Sequence, residues 1–168
     1  MPRRSHRCDY DYLRRLIQQS LEDCPGFGAR VEVEGKINHI AEGLWHENYR
    51  FWIRGRNLSA AVAEQAYFLR LLERRYDWQA GHEPRDRLMR EAETLQALKR
   101  TKFAHPTPEF ICFAKDDESQ PIGMIETAVP GSSLDRFKDR TTLKLISRAA
   151  ANVHRLAFEQ FPHLQSYA

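Results

Sequence analysis

The sequence predicts an α+β fold, with one antiparallel sheet of about five strands packed by a single crossing helix. Three observations predict it. Five short runs have strand length and strand character, three before and two after one clearly helical stretch. That stretch carries apolar residues at helical spacing. Hydrophobic residues make up 42% of the chain and charged ones 29%, a balance that supports a packed core and excludes a wholly disordered or collagen-like chain.

The elements follow in order. Leu13, Ile17 and Leu21 recur at i, i+4, i+8 and predict a helix over 9–22, stopped by Pro25-Gly26-Phe27-Gly28. Ala29 to Gly35 alternates as a strand and continues through Ile37 to Ile40. Tyr49 to Arg54 is a second strand, closed by Gly55. Ala66 to Leu72 is a third, apolar nearly throughout, as a strand buried on both faces would be. Arg74 to His82 reads as a mobile loop.

Pro84 suits the first turn of the next helix, where Leu88, Ala92, Leu95 and Leu98 form a stripe. Lys99 and Arg100 suit its C-terminus, and His105 to Pro108 breaks the chain. Strands at 109–114 and 121–127 flank the acidic turn Lys115 to Ser119. Val129 to Ser133 is a linker and the best domain boundary. A last helix at 141–157 places Leu143, Ile146, Ala149, Ala150, Val153 and Leu156 on one face. The domains so predicted are a helical extension at 1–28, a lobe at 29–130, and a linker with one further helix at 131–168.

A length of 168 residues suits one domain, or one domain plus a fragment of another. No apolar run approaches the roughly 18 residues of a membrane-spanning helix. Basic residues open the chain, but Cys8-Asp9-Tyr10-Asp11-Tyr12 stands where a secretory apolar region should be. Cys8, Cys24 and Cys112 are too few for a disulfide framework or zinc knuckle, which predicts a cytoplasmic protein with reduced thiols. The net charge of +3 arises from 26 basic and 23 acidic residues spread along the chain, a solvated surface more than a nucleic-acid stripe. Neither a membrane nor a nucleic acid is an expected partner.

Two charged residues stand where core residues should. Glu91 falls on the apolar stripe of its helix, and Arg70 shares a strand face with Phe68 and Leu72. A buried face rarely keeps an unpaired charge, so the two invite each other as partners. The same pair also reads as a purely structural ion pair, or Arg70 as snorkelling to the sheet edge. The turn Glu42 to Asn48, with Gly43, covers a ligand or simply joins two strands. Gly26-Phe27-Gly28 follows a helix instead of a strand and is no dinucleotide fingerprint. The seven histidines form no metal-ligand spacing, and no Gly-x-Ser-x-Gly occurs. Neither metal nor covalent catalysis is indicated.

Five segments, in order, carry a family resemblance: Gly43 to Phe51, Tyr67 to Arg70, Arg90 to Leu98, Met124 to Gly131, and Ala149 to Leu156. Together they resemble the aminoglycoside phosphotransferase and choline kinase-like family over about 30–160. They are similar to its short nucleotide loop, third strand, Arg-Glu helix, Val-Pro-Gly hinge and the helix leading to its catalytic loop. The resemblance implies a protein-kinase-like N-terminal lobe, with an N-terminal helix before it and the first helix of the large lobe after it. It implies that Arg70 holds nucleotide phosphates and Glu91 orients it. It further implies that the Gly43–Asn48 loop covers the phosphates and that the backbone near Thr127 and Val129 binds adenine. Positioning and electrostatics of this kind are what phosphoryl transfer asks of a protein.

The sequence departs from the family in four respects. Arg70 replaces the usual Lys, and Phe68 would project toward adenine. Anchoring on Pro130-Gly131 puts Thr127, not Glu126, at the acidic hinge position. No His-x-Asp triplet occurs anywhere, so the catalytic loop and metal site are absent from these residues. The expectation is a C-terminally truncated, inactive nucleotide-binding portion, with ATP and magnesium the ligands of the complete enzyme. Self-association through an exposed lobe interface goes with it. The alternative is a stand-alone protein-interaction module with a degenerate small-lobe fold.

Overall fold

The computed structural model describes residues 9–27, 30–42, 46–72, 84–101, 106–130, 140–156 and 161. Gly43, the Arg74–His82 segment and Gly131 to Ser133, all singled out above, lie outside the described residues, as do the side chains of Leu143 and His154. The protein is α+β, and its five strands form one antiparallel sheet in the order β1-β2-β3-β5-β4. The chain divides into two compact units, Met1–Leu88 with Phe110–Ala128, and Met89–Glu109 with Val129–Ala168.

In the first unit, helix α1 (Tyr10–Glu22) starts where the Asp9 carboxylate accepts from the Tyr12 amide at 3.0 Å. Leu13, Leu16, Ile17 and Leu21, at i, i+3, i+4 and i+8, share one face and are buried. Gly26, at a φ of +93°, turns the chain back after the helix. Strands β1 (Glu32–Glu42) and β2 (His46–Arg54) pair from Glu32 opposite Arg54 to Glu42 opposite Glu47, with a register shift around Gly35, whose φ is +63°. Arg14 of α1 forks onto this edge strand, donating to the Val33 carbonyl at 2.6 Å and the Gly35 carbonyl at 2.8 Å.

Helix α2 (Ala60–Ala63), a four-residue turn capped by Ser59, has no counterpart in the sequence prediction. It is too short for any periodicity, although Ser before two alanines is a start signal. Strand β3 (Tyr67–Leu72) then pairs with β2, Asn48 opposite Arg70. β4 (Phe110–Lys115) and β5 (Pro121–Thr127) complete the sheet. The turn between them is fixed by Asp116, whose carboxylate accepts from the amides of Glu118 and Gln120 at 3.1 and 2.8 Å.

The core of this unit lies between α1 and one face of the sheet. Tyr49, Phe51 and Ile53 of β2, Tyr67 and Leu69 of β3 and Ile125 of β5 alternate onto that face and meet the α1 stripe. Phe51 and Tyr67 stack at 5.8 Å, and the Tyr67 hydroxyl donates to the Val62 carbonyl at 2.9 Å. The N-terminal helix is therefore built into the sheet's core, not docked loosely beside it. Burial of each such side chain contributes about 1.5–3 kcal/mol.

The second unit holds most of α3 (Pro84–Arg100) and α4 (Arg140–His154). The α3 stripe is as predicted: Leu88 and Ala92 are buried, Leu95 and Leu98 half-buried. The face predicted for α4 is only partly covered. Ile146, Ala149 and Leu156 are half-buried, whereas Ala150 and Val153 are exposed, Val153 at 53%. An apolar stripe reports which side of a helix avoids water, not how much of it another element covers.

Candidate functional site

The face of the sheet opposite α1 gathers the polar and charged side chains. Period-two alternation sends Tyr49, Phe51, Tyr67, Leu69, Ile125 and Thr127 toward α1. The intervening His46, Asn48, Phe68, Arg70, Met124 and Glu126 therefore share the other face. Thr127 is buried on the α1 side, its register partner being Tyr67.

Arg70 stands in the middle of this face on β3, the central strand. Its Nη1 lies 3.6 Å from Oε2 of Glu126, two residues along from its direct partner Met124. Its Nη2 lies 3.4 Å from Nδ1 of His46 on β2. A guanidinium only donates, so His46 can pair with it only through an unprotonated Nδ1. His46 and Glu126 are buried, and the Arg70 side chain keeps a quarter of its surface, 25%, in contact with solvent. Positive and negative charge are matched at short range, and the cation is reachable by an anion from outside. A planar guanidinium with several donors is well suited to a phosphate or carboxylate in that position.

The six predicted site residues fall as follows. Arg70 and Asn48 are brought together as direct cross-strand neighbours. Asn48 belongs to β2, which begins at His46, so it is a strand residue and not the end of a loop. Gly43 is outside the described residues. Glu91 is half-buried on α3 in the second unit. The amide after Thr127, that of Ala128, donates to the Ala66 carbonyl at 2.8 Å, which fixes the end of β5 against the entry to β3. Val129 is exposed and opens the second unit's later segment.

Sequence reasoning missed His46 and Glu126 as members of the site. The alternation of Met124 and Glu126 against Ile125 and Thr127 was a signal for the second. His46 carried none, because its segment reads as a turn. Among the described residues no group of three or more His, Cys, Asp or Glu side chains is placed to hold a metal ion. Among them, too, no helix is long and apolar enough to cross a membrane. No protein-family model, curated protein or solved structure matches this chain.

Proposed function

We propose that the chain is the nucleotide-binding N-terminal portion of an ATP-dependent small-molecule phosphotransferase of the aminoglycoside phosphotransferase and choline kinase-like kind. The observation that carries this reading is Arg70: a guanidinium on the central strand, opposite Asn48, oriented by Glu126 and His46 and still accessible. The order of elements supports it as well, with three strands, a helix and two strands before the Val129 linker. In this role Arg70 would hold the phosphates of ATP. Asn48 lines the same end of the face, and the backbone from Thr127 to Val129 takes the adenine. Glu126, 3.6 Å away, helps to orient the guanidinium, the part expected also of Glu91. Phosphoryl transfer itself would require a His-x-Asp catalytic loop, which this sequence does not contain.

Isothermal titration with magnesium and ATP tests the reading on three proteins: the parent, Arg70→Ala and Arg54→Ala. Arg54 is an exposed arginine paired with Glu32 at 2.8 Å. Saturable binding by the parent and the Arg54 variant, with at least a tenfold loss (about 1.4 kcal/mol) for Arg70→Ala, is the expected result. Equal affinities across all three, or no binding at millimolar ATP, would overturn it.

A second reading, a stand-alone interaction module, is favoured by the charge matching of Arg70 within the sheet, which gives the guanidinium a purely structural use. Self-association goes with the first reading, α4 leaving Leu145 and Val153 60% and 53% exposed. A pull-down with and without ATP separates the two. Tight, nucleotide-independent capture of a partner protein supports the module.

A further inference from the structure

Two thiols outside the candidate site meet where the end of α1 lies against the edge strand β4. Cys112 Sγ of β4 donates to the Ser20 carbonyl in the last turns of α1 at 3.3 Å. Cys24 Sγ, just past the end of α1, lies 3.6 Å from the carbonyl of Ile111, the residue before Cys112. Each sulfur thus reaches the other's element. They are 88 positions apart, 112 minus 24, so their meeting is a product of the tertiary fold. Both are reduced, and both are partly exposed.

We propose that Cys24 and Cys112 form an oxidation site, converted by a small-molecule disulfide such as oxidised glutathione into an intramolecular disulfide that ties α1 to β4. The Cys24 thiolate attacks one sulfur of the reagent, forming a mixed disulfide and expelling one thiolate. The Cys112 thiolate then attacks the Cys24 sulfur, forming the Cys24–Cys112 bond and expelling the second. The two protons given up by the cysteines end on the two released thiols, and two electrons pass from the protein to the reagent.

The order of attack follows from the surroundings. Burial raises both thiols, Cys112 to about 12, where the neighbouring Cys24 and Asp23 add to the effect and Lys115 opposes it. Cys24 is raised by burial too, with the neighbouring Cys112 side chain working in the other direction. The first proton therefore leaves Cys24. With both thiols raised, exchange is slow at neutral pH and speeds up as the solution becomes alkaline.

The experiment uses the full chain carrying Cys8→Ser, so that two thiols remain. The reduced protein is incubated with oxidised glutathione at two pH values, alkylated and weighed. The expected product has lost two hydrogens, retains no glutathione, and yields a cross-linked peptide holding Cys24 and Cys112. It forms roughly tenfold faster at pH 9 than at pH 8. Its Tm exceeds that of the reduced protein by at least about 5 °C, because a long loop is closed in the unfolded chain. In Cys112→Ser, checked for its fold by circular dichroism, one glutathione stays on Cys24. Stable glutathione adducts on the two-thiol protein, or a disulfide that forms only in urea, would overturn the proposal.

Discussion

The Arg70 guanidinium and the Glu126 carboxylate face each other diagonally across β3 and β5, with Nη1 3.6 Å from Oε2. The carboxylate is only 8% exposed, so it depends on a cation beside it more than a surface acid would. Arg70→Ala is expected to lower stability by about 2–3 kcal/mol in urea unfolding. The double variant Arg70→Met with Glu126→Gln should regain much of that, because position 126 then no longer carries a buried charge. Single and double variants of equal stability would show that the pair does not hold the face together.

Helix α1 is a second place where stability can be read directly. Ile17 is fully buried in the cluster that joins α1 to the sheet, and Ile17→Ala should cost about 3–4 kcal/mol. Leu145 on α4 is 60% exposed, and Leu145→Ala should change stability by about 0.5 kcal/mol or less. Denaturant midpoints of the two variants check the contrast. An N-terminal extension outside the core would give two small effects instead.

Gly123 of β5 sits opposite Leu71, where the strands approach too closely for a side chain. A Cβ there would lie 2.6 Å from the Arg70 carbonyl and 2.8 Å from Cδ2 of Leu71. Gly123→Ala must therefore push β5 from β3, at a cost of about 1–3 kcal/mol. Amide exchange should quicken along both strands, and any ligand that needs Arg70 in place should bind more weakly. Unchanged exchange at Leu69 and Leu71 would contradict this.

Tyr67 supplies a pH dependence with a definite sign. Burial pushes its phenol up to about 12, against about 10 in an unfolded chain. The folded state thus holds the proton more tightly, and this contribution is complete below pH 10 and lost as pH rises through about 12. The parent should weaken over that window more steeply than Tyr67→Phe. At neutral pH the variant should be less stable by about 1 kcal/mol, having lost the hydrogen bond to Val62. Urea midpoints from about pH 8 to 12 measure both.

Much of the fold is legible in the sequence, for identifiable reasons. The stripe Leu13, Ile17, Leu21 marks α1, and β4 and β5 differ from prediction by a residue or less at either end. β2 extends back to His46 because β1 and β3 both pair with it there, Glu42 opposite Glu47 and Leu72 opposite His46. Its own polar residues carry no strand signal. In the candidate site, Arg70 stands out locally as a charge among apolar neighbours. Glu126 beside it depends on β3 and β5 being adjacent although α3 and β4 separate them in the chain. Cross-strand register of that kind comes from the assembled sheet, and no window of sequence contains it.

The Arg14 fork on β1 has a consequence for how the molecule behaves in a crowd. An outermost strand offers its backbone to any other extended chain, and such offers end in fibres or precipitates. Here two successive outward-alternating carbonyls, those of Val33 and Gly35, are already taken by a cation from the same molecule, beside a kink that spoils the strand's regularity. The helix that fills the interior thus also occupies part of that open edge, through Arg14.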